Sequence, residues 1–315
     1  MGIGLEIRRL YLALVLCLPA CAEPVLWHDP GDVSSWDFGG AAGTQVRPPQ
    51  PPFTFVREDL SGTQPKVFVR DATGTIWNVK FGYETKGESF CWRVVRACGY
   101  YAEPSYFVAE GQVQGLQPLK RGGDWISAGG HFTNGRFQFR DPDWKFLAGR
   151  TWRWDGAPFA GTKELSGLKL LIMLFSNWDD KDGRVDAKGS NTAVFQHGQQ
   201  LVYTFTDWGS GMGRWGSTTG QTDWRCLDFT EQTAGFVKGV SGGRVLFAYD
   251  GNINQGFGDN IPPSHVAWFL GYLGRITDAQ LHAGLRASGA TDAEAGCFTK
   301  ALRGRIEQLQ MVAKR

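Results

Sequence analysis

Beyond its first twenty residues the 315-residue chain has no apolar run long enough to cross a bilayer as a helix, so no later membrane span is expected. It also lacks a long basic run and a basic stripe interleaved with aromatics. With 33 basic against 31 acidic side chains and a net charge of +2, nothing argues for nucleic-acid binding. Histidine is scarce, and His28, His131, His197, His265 and His282 have no zinc-ligand spacing; there is no Cys-x-x-Cys. Asp180-Lys181-Asp182-Gly183 lacks the spacing and closing Glu of an EF-hand. The turn at Gly62-Thr63-Gln64-Pro65-Lys66 is neither a Walker A motif nor a GxGxxG loop. After Cys21 only Cys91, Cys98, Cys226 and Cys297 remain, an even number that permits disulfides in an exported chain. Cys91 and Cys98 fall on one expected helix, about 10 Å apart by helical rise, too far to pair with each other. No internal repeat is found.

What the chain does have is a globular composition, 42% hydrophobic and 20% charged. Its 13 Trp and 43 Gly suit packed strands and hairpins, or sugar-stacking surfaces. The N-terminus reads as an export signal over residues 1–21: Arg8 and Arg9, an apolar stretch from Leu10 to Leu18, then Pro19-Ala20-Cys21. Leu18-Pro19-Ala20-Cys21 resembles a lipobox, which would lipidate Cys21; the alternative is plain secretion. The expected location is periplasmic or cell-surface, with membrane contact only through that anchor.

Residues 22–52 carry Gly39-Gly40-Ala41-Ala42-Gly43 and Pro48-Pro49-Gln50-Pro51-Pro52, and are expected to form a linker. From Phe53 the pattern turns to strands: Phe53–Val56, Val67–Val69 and Thr75–Phe81. The last alternates, with Trp77, Val79 and Phe81 on one face and Ile76, Asn78 and Lys80 on the other. Glu88 opens a helix that runs to Cys98, closes at Gly99 and carries an apolar stripe of Phe90, Val94, Val95 and Cys98. Strands and turns follow over 100–160, with Asn134-Gly135 read as a hairpin turn. Glu164–Asn177 reads as a helix apolar on most sides, hence buried. An acidic, Gly-rich loop spans 179–190, Ala193–Phe195 and Leu201–Phe205 read as a strand pair, and 262–312 is mainly helical.

A resemblance gathers these pieces. Gly62-Thr63-Gln64-Pro65-Lys66, Trp77-Asn78-Val79-Lys80, and the run Glu88, Cys91, Arg93-Val94-Val95, Ala97, Gly99 resemble the N-lobe of HipA-like serine/threonine kinases. Asn177-Trp178-Asp179 followed by Asn191 resembles their catalytic loop, and Asp207-Trp208-Gly209 their metal-binding Asp. The order matches from about residue 53 to 210. The resemblance implies an α+β, two-lobed kinase-like fold, with a strand-rich N-lobe over 53–110 containing one helix and a larger, mainly helical C-lobe over 111–315.

It also implies roles. Phosphoryl transfer depends on positioning and charge neutralisation. Lys80 would clamp the phosphates of ATP, and Glu88, or Glu84 in its place, would hold that lysine. The turn containing Gly62, Thr63, Gln64 and Lys66 would approach the nucleotide by its backbone. Asp179 would take the acceptor's proton. Asp186 is the alternative, since it lies five residues before Asn191, the family's spacing, whereas Asp179 lies twelve before it. Asn191 and Asp207 would hold Mg²⁺. The implied activity is transfer of the γ-phosphate of ATP to an unidentified acceptor hydroxyl on a protein or small molecule. The alternative is an inactive kinase-fold lipoprotein that serves as a binding module, a reading favoured by the lengthened loop. A Trp-rich carbohydrate-binding protein is a third reading.

Overall fold

The computed structural model of the protein describes residues 22–62, 64–121, 123–185, 189–216, 224–251 and 256–314. The expected export signal with Cys21, Thr63 of the glycine turn and the alternative base Asp186 lie outside them. In chain order the elements are β1 (Glu23–Val25), β2 (Phe53–Asp59), β3 (Lys66–Arg70), β4 (Ile76–Phe81), α1 (Thr85–Ala97), β5 (Ser105–Gln114), β6 (His131–Phe139), β7 (Lys145–Phe146), α2 (Lys163–Leu174), β8 (Thr192–His197), β9 (Gln200–Phe205), α3 (Cys226–Glu231), β10 (Val237–Ser241), β11 (Arg244–Phe247), α4 (Pro263–Leu273), α5 (Asp278–Ala287) and α6 (Asp292–Ala313). The protein is a mixed α/β structure.

The alternation read over Thr75–Phe81 has a definite use. β2, β3, β4, β6 and β5 close into a barrel in that order, sealed by the parallel pair β2–β5. Val67, Val69, Trp77, Val79, Phe81 and Phe137, each at most 1% exposed, occupy its inside, where the rings of Trp77 and Phe81 meet Phe137 and Phe132. Fully burying a side chain of this size contributes about 1.5–3 kcal/mol each. The strand-rich half therefore extends through Phe139 rather than ending near residue 110, because β6 bonds to both β4 and β5. Asn134-Gly135 lies inside β6 and forms no hairpin turn. Asn134 does take the positive φ (+53°) that the dipeptide favours, but the strand continues past it.

The expected linker 22–52 is packed against the rest. Val33, Phe38 and Ala42 are buried, and β1 adds a parallel strand to β9 in the sheet β1-β9-β8-β7. Gln280 Nε2 donates to Val33 O at 2.8 Å, Arg93 Nε to Phe38 O at 2.7 Å and Tyr106 Oη to Val46 O at 2.5 Å. The Gly and Pro residues make turns between these apolar anchors, and local Asp carboxylates accept the turn amides, as at Gly31 and Gly39.

α2 is buried on nearly every side, as its sequence suggests. Its C-terminal end leads to Ser176 and Asn177 and is held by Arg305 of α6. Arg305 is fully buried and donates to Leu174 O (2.8 Å), Ser176 Oγ (2.8 Å), Phe229 O (3.0 Å) and Thr233 Oγ1 (3.1 Å), with the Phe229 ring 3.7 Å away. A cation at a helix C-terminus is favoured by the helix dipole. Capping boxes at Thr277/Gln280 and Thr291/Glu294 start α5 and α6. A disulfide joins Cys226 of α3 to Cys297 of α6, while Cys91 and Cys98 are free and buried. Among the described residues no helix is long and apolar enough to cross a membrane.

Candidate active site

β4 presents its even-numbered residues on the outside of the barrel. The register puts Lys66 of β3 and Arg136 of β6 on either side of Lys80, so three cations stand in a row across three strands. α1 lies over this row and supplies Glu88 and, from its N-cap, Glu84. Glu88 bonds Lys80 Nζ at 2.5 Å through Oε1 and meets Arg136 Nε at 2.5 Å through Oε2. Glu84 forms a second, shorter ion pair with Lys80. Lys80, Glu88 and Arg136 are all under a tenth exposed.

These charges settle one another. Burial works against the Lys80 ammonium, but Glu88, Asp207 and Glu84 outweigh it and hold Lys80 above its usual value. Burial would also raise the Glu88 carboxyl, yet Arg136 and Lys80 draw it below the ordinary range. Glu84 is raised, chiefly by burial against the pull of Lys80. Lys66 is pulled down to about 8, first by burial and then by Lys80 and Arg136, against the attraction of Asp59.

Asp207 comes to this cluster because Gly209 lets α1 close on the segment after β9. A Cβ on Gly209 would lie 2.6 Å from Glu84 Cβ and 2.9 Å from Glu88 Oε1. The carboxylates of Glu84, Glu88 and Asp207 consequently offer oxygens all within 4.8 Å of one another. Hard oxygen donors at this spacing fit a divalent cation of the Mg²⁺ or Mn²⁺ type. Behind Glu88 a void of about 20 Å³, lined among others by Trp92, Glu103, Gln138 and Trp208, has room for one water.

Asp179 and Asn191 form a second pair beside the first. Asn191 Nδ2 donates to Asp179 O at 2.7 Å, Asp179 N donates to Asn177 Oδ1 at 3.2 Å, and Asn177 Nδ2 donates to Asp207 O at 2.8 Å. The Asp179 carboxylate meets Lys181 Nζ at 2.8 Å. Burial, with a smaller push from Asp207, raises its pKa above the usual value despite Lys181. In the turn at 59–66, Gly62 has φ +61° and its carbonyl accepts from Arg121, Lys66 Nζ reaches Ser61 Oγ at 3.4 Å, and Gln64 lies against Gly82 where α1 begins.

Of the residues expected from the sequence, the structure thus gathers Lys80, Glu88 and Asp207 with Glu84, ties Asp179 to Asn191, and sets the turn of Gly62, Gln64 and Lys66 at the edge of the same face. Asn191 is fixed through its carboxamide nitrogen on the Asp179 backbone. Arg136 is the participant the sequence reading missed. Its signal was positional, since Arg136 alternates with Phe137 and Phe139, whose rings meet Trp77 on the inner side of the barrel.

No protein-family description matches the chain, and no curated protein matches it. Among solved structures it is similar to a hydra Fam20 structure determined with sugar, at 10% identity over 84% of this chain and 85% of that chain, with a TM-score of 0.46. It is also similar to a Golgi casein kinase structure, at 11% identity over 84% of this chain and 74% of that one, with a TM-score of 0.35. At these identities and scores the functional reading rests on the geometry of the site itself.

Proposed function

We propose that the chain is an exported atypical kinase that transfers the γ-phosphate of ATP to an acceptor hydroxyl. The observation that carries this reading is the buried Lys80–Glu88 pair set beside the Glu84, Glu88 and Asp207 carboxylates, with Asp179 adjoining. In this reading the barrel with α1 is the upper lobe and the helical remainder the lower one. The Lys66, Lys80 and Arg136 row faces the phosphates, and the turn containing Gly62 and Gln64 covers them. Glu84 and Asp207 would hold the divalent cation, with Asn191 positioned on the Asp179 loop to assist. Held there, such a cation would supply charge neutralisation for the transferring phosphoryl group. Asp179, with a carboxyl raised by burial, accepts the proton of the acceptor hydroxyl. That O–H bond breaks as the new O–P bond forms, the bond from the γ-phosphorus to the bridging oxygen breaks, and ADP leaves.

The second reading is a catalytically silent binding module with the same fold, possessing a lipid anchor if Cys21 is processed. It is supported by the ion pair that engages the Asp179 carboxylate with Lys181 at 2.8 Å. Incubation of the purified protein with γ-labelled ATP, Mg²⁺ or Mn²⁺ and hydroxyl acceptors separates the two. The kinase reading expects label on an acceptor, lost in Asp179→Asn by about a hundredfold or more. No transfer to protein, peptide or small-molecule acceptors, with nucleotide binding intact, would favour the binding module.

A further inference from the structure

One charged residue interrupts the buried course of α2. Lys169 stands between Leu168 and Leu170, each at most 1% exposed, and is itself half-buried. Its ammonium makes no hydrogen bond and no ion pair with any described residue. It stands over the Phe257 ring at 5.4 Å from the centroid, a cation–π contact. Burial draws its pKa down, opposed by the more diffuse attraction of Asp155, Asp182 and Asp259. A half-buried ammonium held only by a ring face and by more distant carboxylates keeps unused hydrogen-bonding capacity on a helix otherwise packed with apolar side chains.

Lys169 lines a cavity of about 430 Å³ between the first turns of α2, the Trp154–Asp155 corner, Arg184 and Phe257–Ile261. That volume is in the range of small-ligand pockets. The cavity shares no lining residue with the cleft described above. The other cation on its wall, Arg184, is fixed in place: its Nε and Nη2 each lie 2.9 Å from an oxygen of the fully buried Asp182, which also accepts from Trp154 N. Arg184 Nη1 is 4.0 Å from Asp155, whose carboxylate is already engaged by Arg153 at 2.9 and 3.0 Å. Asp259 is the remaining carboxylate on the lining and is exposed. Leu165, Phe257 and Ile261 supply an apolar wall.

We infer that this cavity binds a small organic anion, a carboxylate or phosphate monoester with an apolar body. Its charged group pairs with the Lys169 ammonium beside Arg184, and its body packs on Leu165, Phe257 and Ile261. The site is independent of the nucleotide reading, and neither stands or falls with the other.

Thermal melts of the purified full chain with phenyl phosphate, phenylacetate or inorganic phosphate test this directly. The expected result is a midpoint raised by roughly 3 °C at ten times the dissociation constant for one of the two organic anions. Which of the two acts distinguishes phosphate ester from carboxylate, and inorganic phosphate, without the apolar body, acts more weakly. Lys169→Met keeps the aliphatic stem and removes a charge with no hydrogen bond or ion pair to the described residues, so it should melt near the wild-type midpoint in buffer and show no rise with either anion. No rise with any anion in the wild-type chain would overturn the inference. So would an equal rise in Lys169→Met, which would place the anion on the Lys66, Lys80 and Arg136 row instead. A measurement needing no variant is acetylation of Lys169 read by mass spectrometry: the effective anion should slow it several-fold, and unchanged labelling would count against the site.

Discussion

The cleft face of the barrel and the junction beneath α6 both bury cations, and they do so in opposite ways. In the cleft, Lys80 pairs with both Glu84 and Glu88, and Glu88 with both Lys80 and Arg136, so these two charges can exchange one partner of opposite sign for another. At the junction, Arg305 has no carboxylate. Neutral carbonyls, two hydroxyls and an aromatic face satisfy it, and a disulfide ties the same helix to α3. Charges with interchangeable partners suit a site that must accept a polyphosphate and a cation. A charge satisfied by fixed dipoles suits a joint, here the one that sets the end of α2 from which Asn177 and Asp179 extend. Stability at the junction should therefore be large and insensitive to pH, and in the cleft smaller and dependent on it.

The largest effect expected is at the junction. Reducing the Cys226–Cys297 disulfide, which spans 71 residues, should cost about 4 kcal/mol on the chain-entropy account, read as a lower denaturant midpoint. Arg305→Leu should cost about 3 kcal/mol or more, since it removes the donor shared by three carbonyls and two hydroxyls. Arg305→Lys should recover little of it, because one ammonium cannot reach all five acceptors. A small loss in either variant would break the contrast. Glu88→Gln in the cleft should cost no more than Arg305→Leu, about 3 kcal/mol, because Lys80 keeps Glu84 while Arg136 loses its carboxylate. The Glu88 carboxyl is lowered in the folded state, so its contribution is present above the ordinary Glu range and is lost as pH falls through the lowered folded value. Wild type should therefore lose more stability on acidification than Glu88→Gln, and parallel curves would contradict the assignment.

The smallest effect concerns Lys66. With its pKa near 8 in the free protein, a bound polyphosphate would hold it protonated. Nucleotide binding should then take up a proton above that pH, and affinity should fall by about tenfold from pH 7 to pH 9. Lys66→Met should flatten the profile, whereas an unchanged slope would remove Lys66 from the phosphate face.

Much of the frame was legible where a single periodicity decides the matter. The alternation at Trp77, Val79 and Phe81 gave both the barrel interior and, by subtraction, the outward position of Lys80. The stripe of Phe90, Val94 and Val95 gave α1, and the all-round apolar run gave α2. What escaped depends on long-range pairing. The closure of β2 on β5 and the placing of Arg136 beside Lys80 are facts of register, which no local pattern carries. The packing of 22–52 was hidden because a few apolar anchors, Val33 and Phe38 among them, are spaced among Gly and Pro residues that read as unstructured. Asn134-Gly135 shows the same limit: the positive φ was readable, but its use within a strand was not. The gathering of Glu84 with Glu88 and Asp207 depends on how closely Gly209 lets two segments approach.

If the Glu84, Glu88 and Asp207 carboxylates beside Lys80 form a metal-dependent nucleotide site, melting wild type and Asp207→Ala with ATP, with and without Mg²⁺ or Mn²⁺, will show it most directly. Wild type should gain about 2.7 kcal/mol at one hundred times the dissociation constant, only with the metal present, and Asp207→Ala should fold but gain nothing. An unaltered midpoint in wild type, or an equal gain in Asp207→Ala, would contradict it.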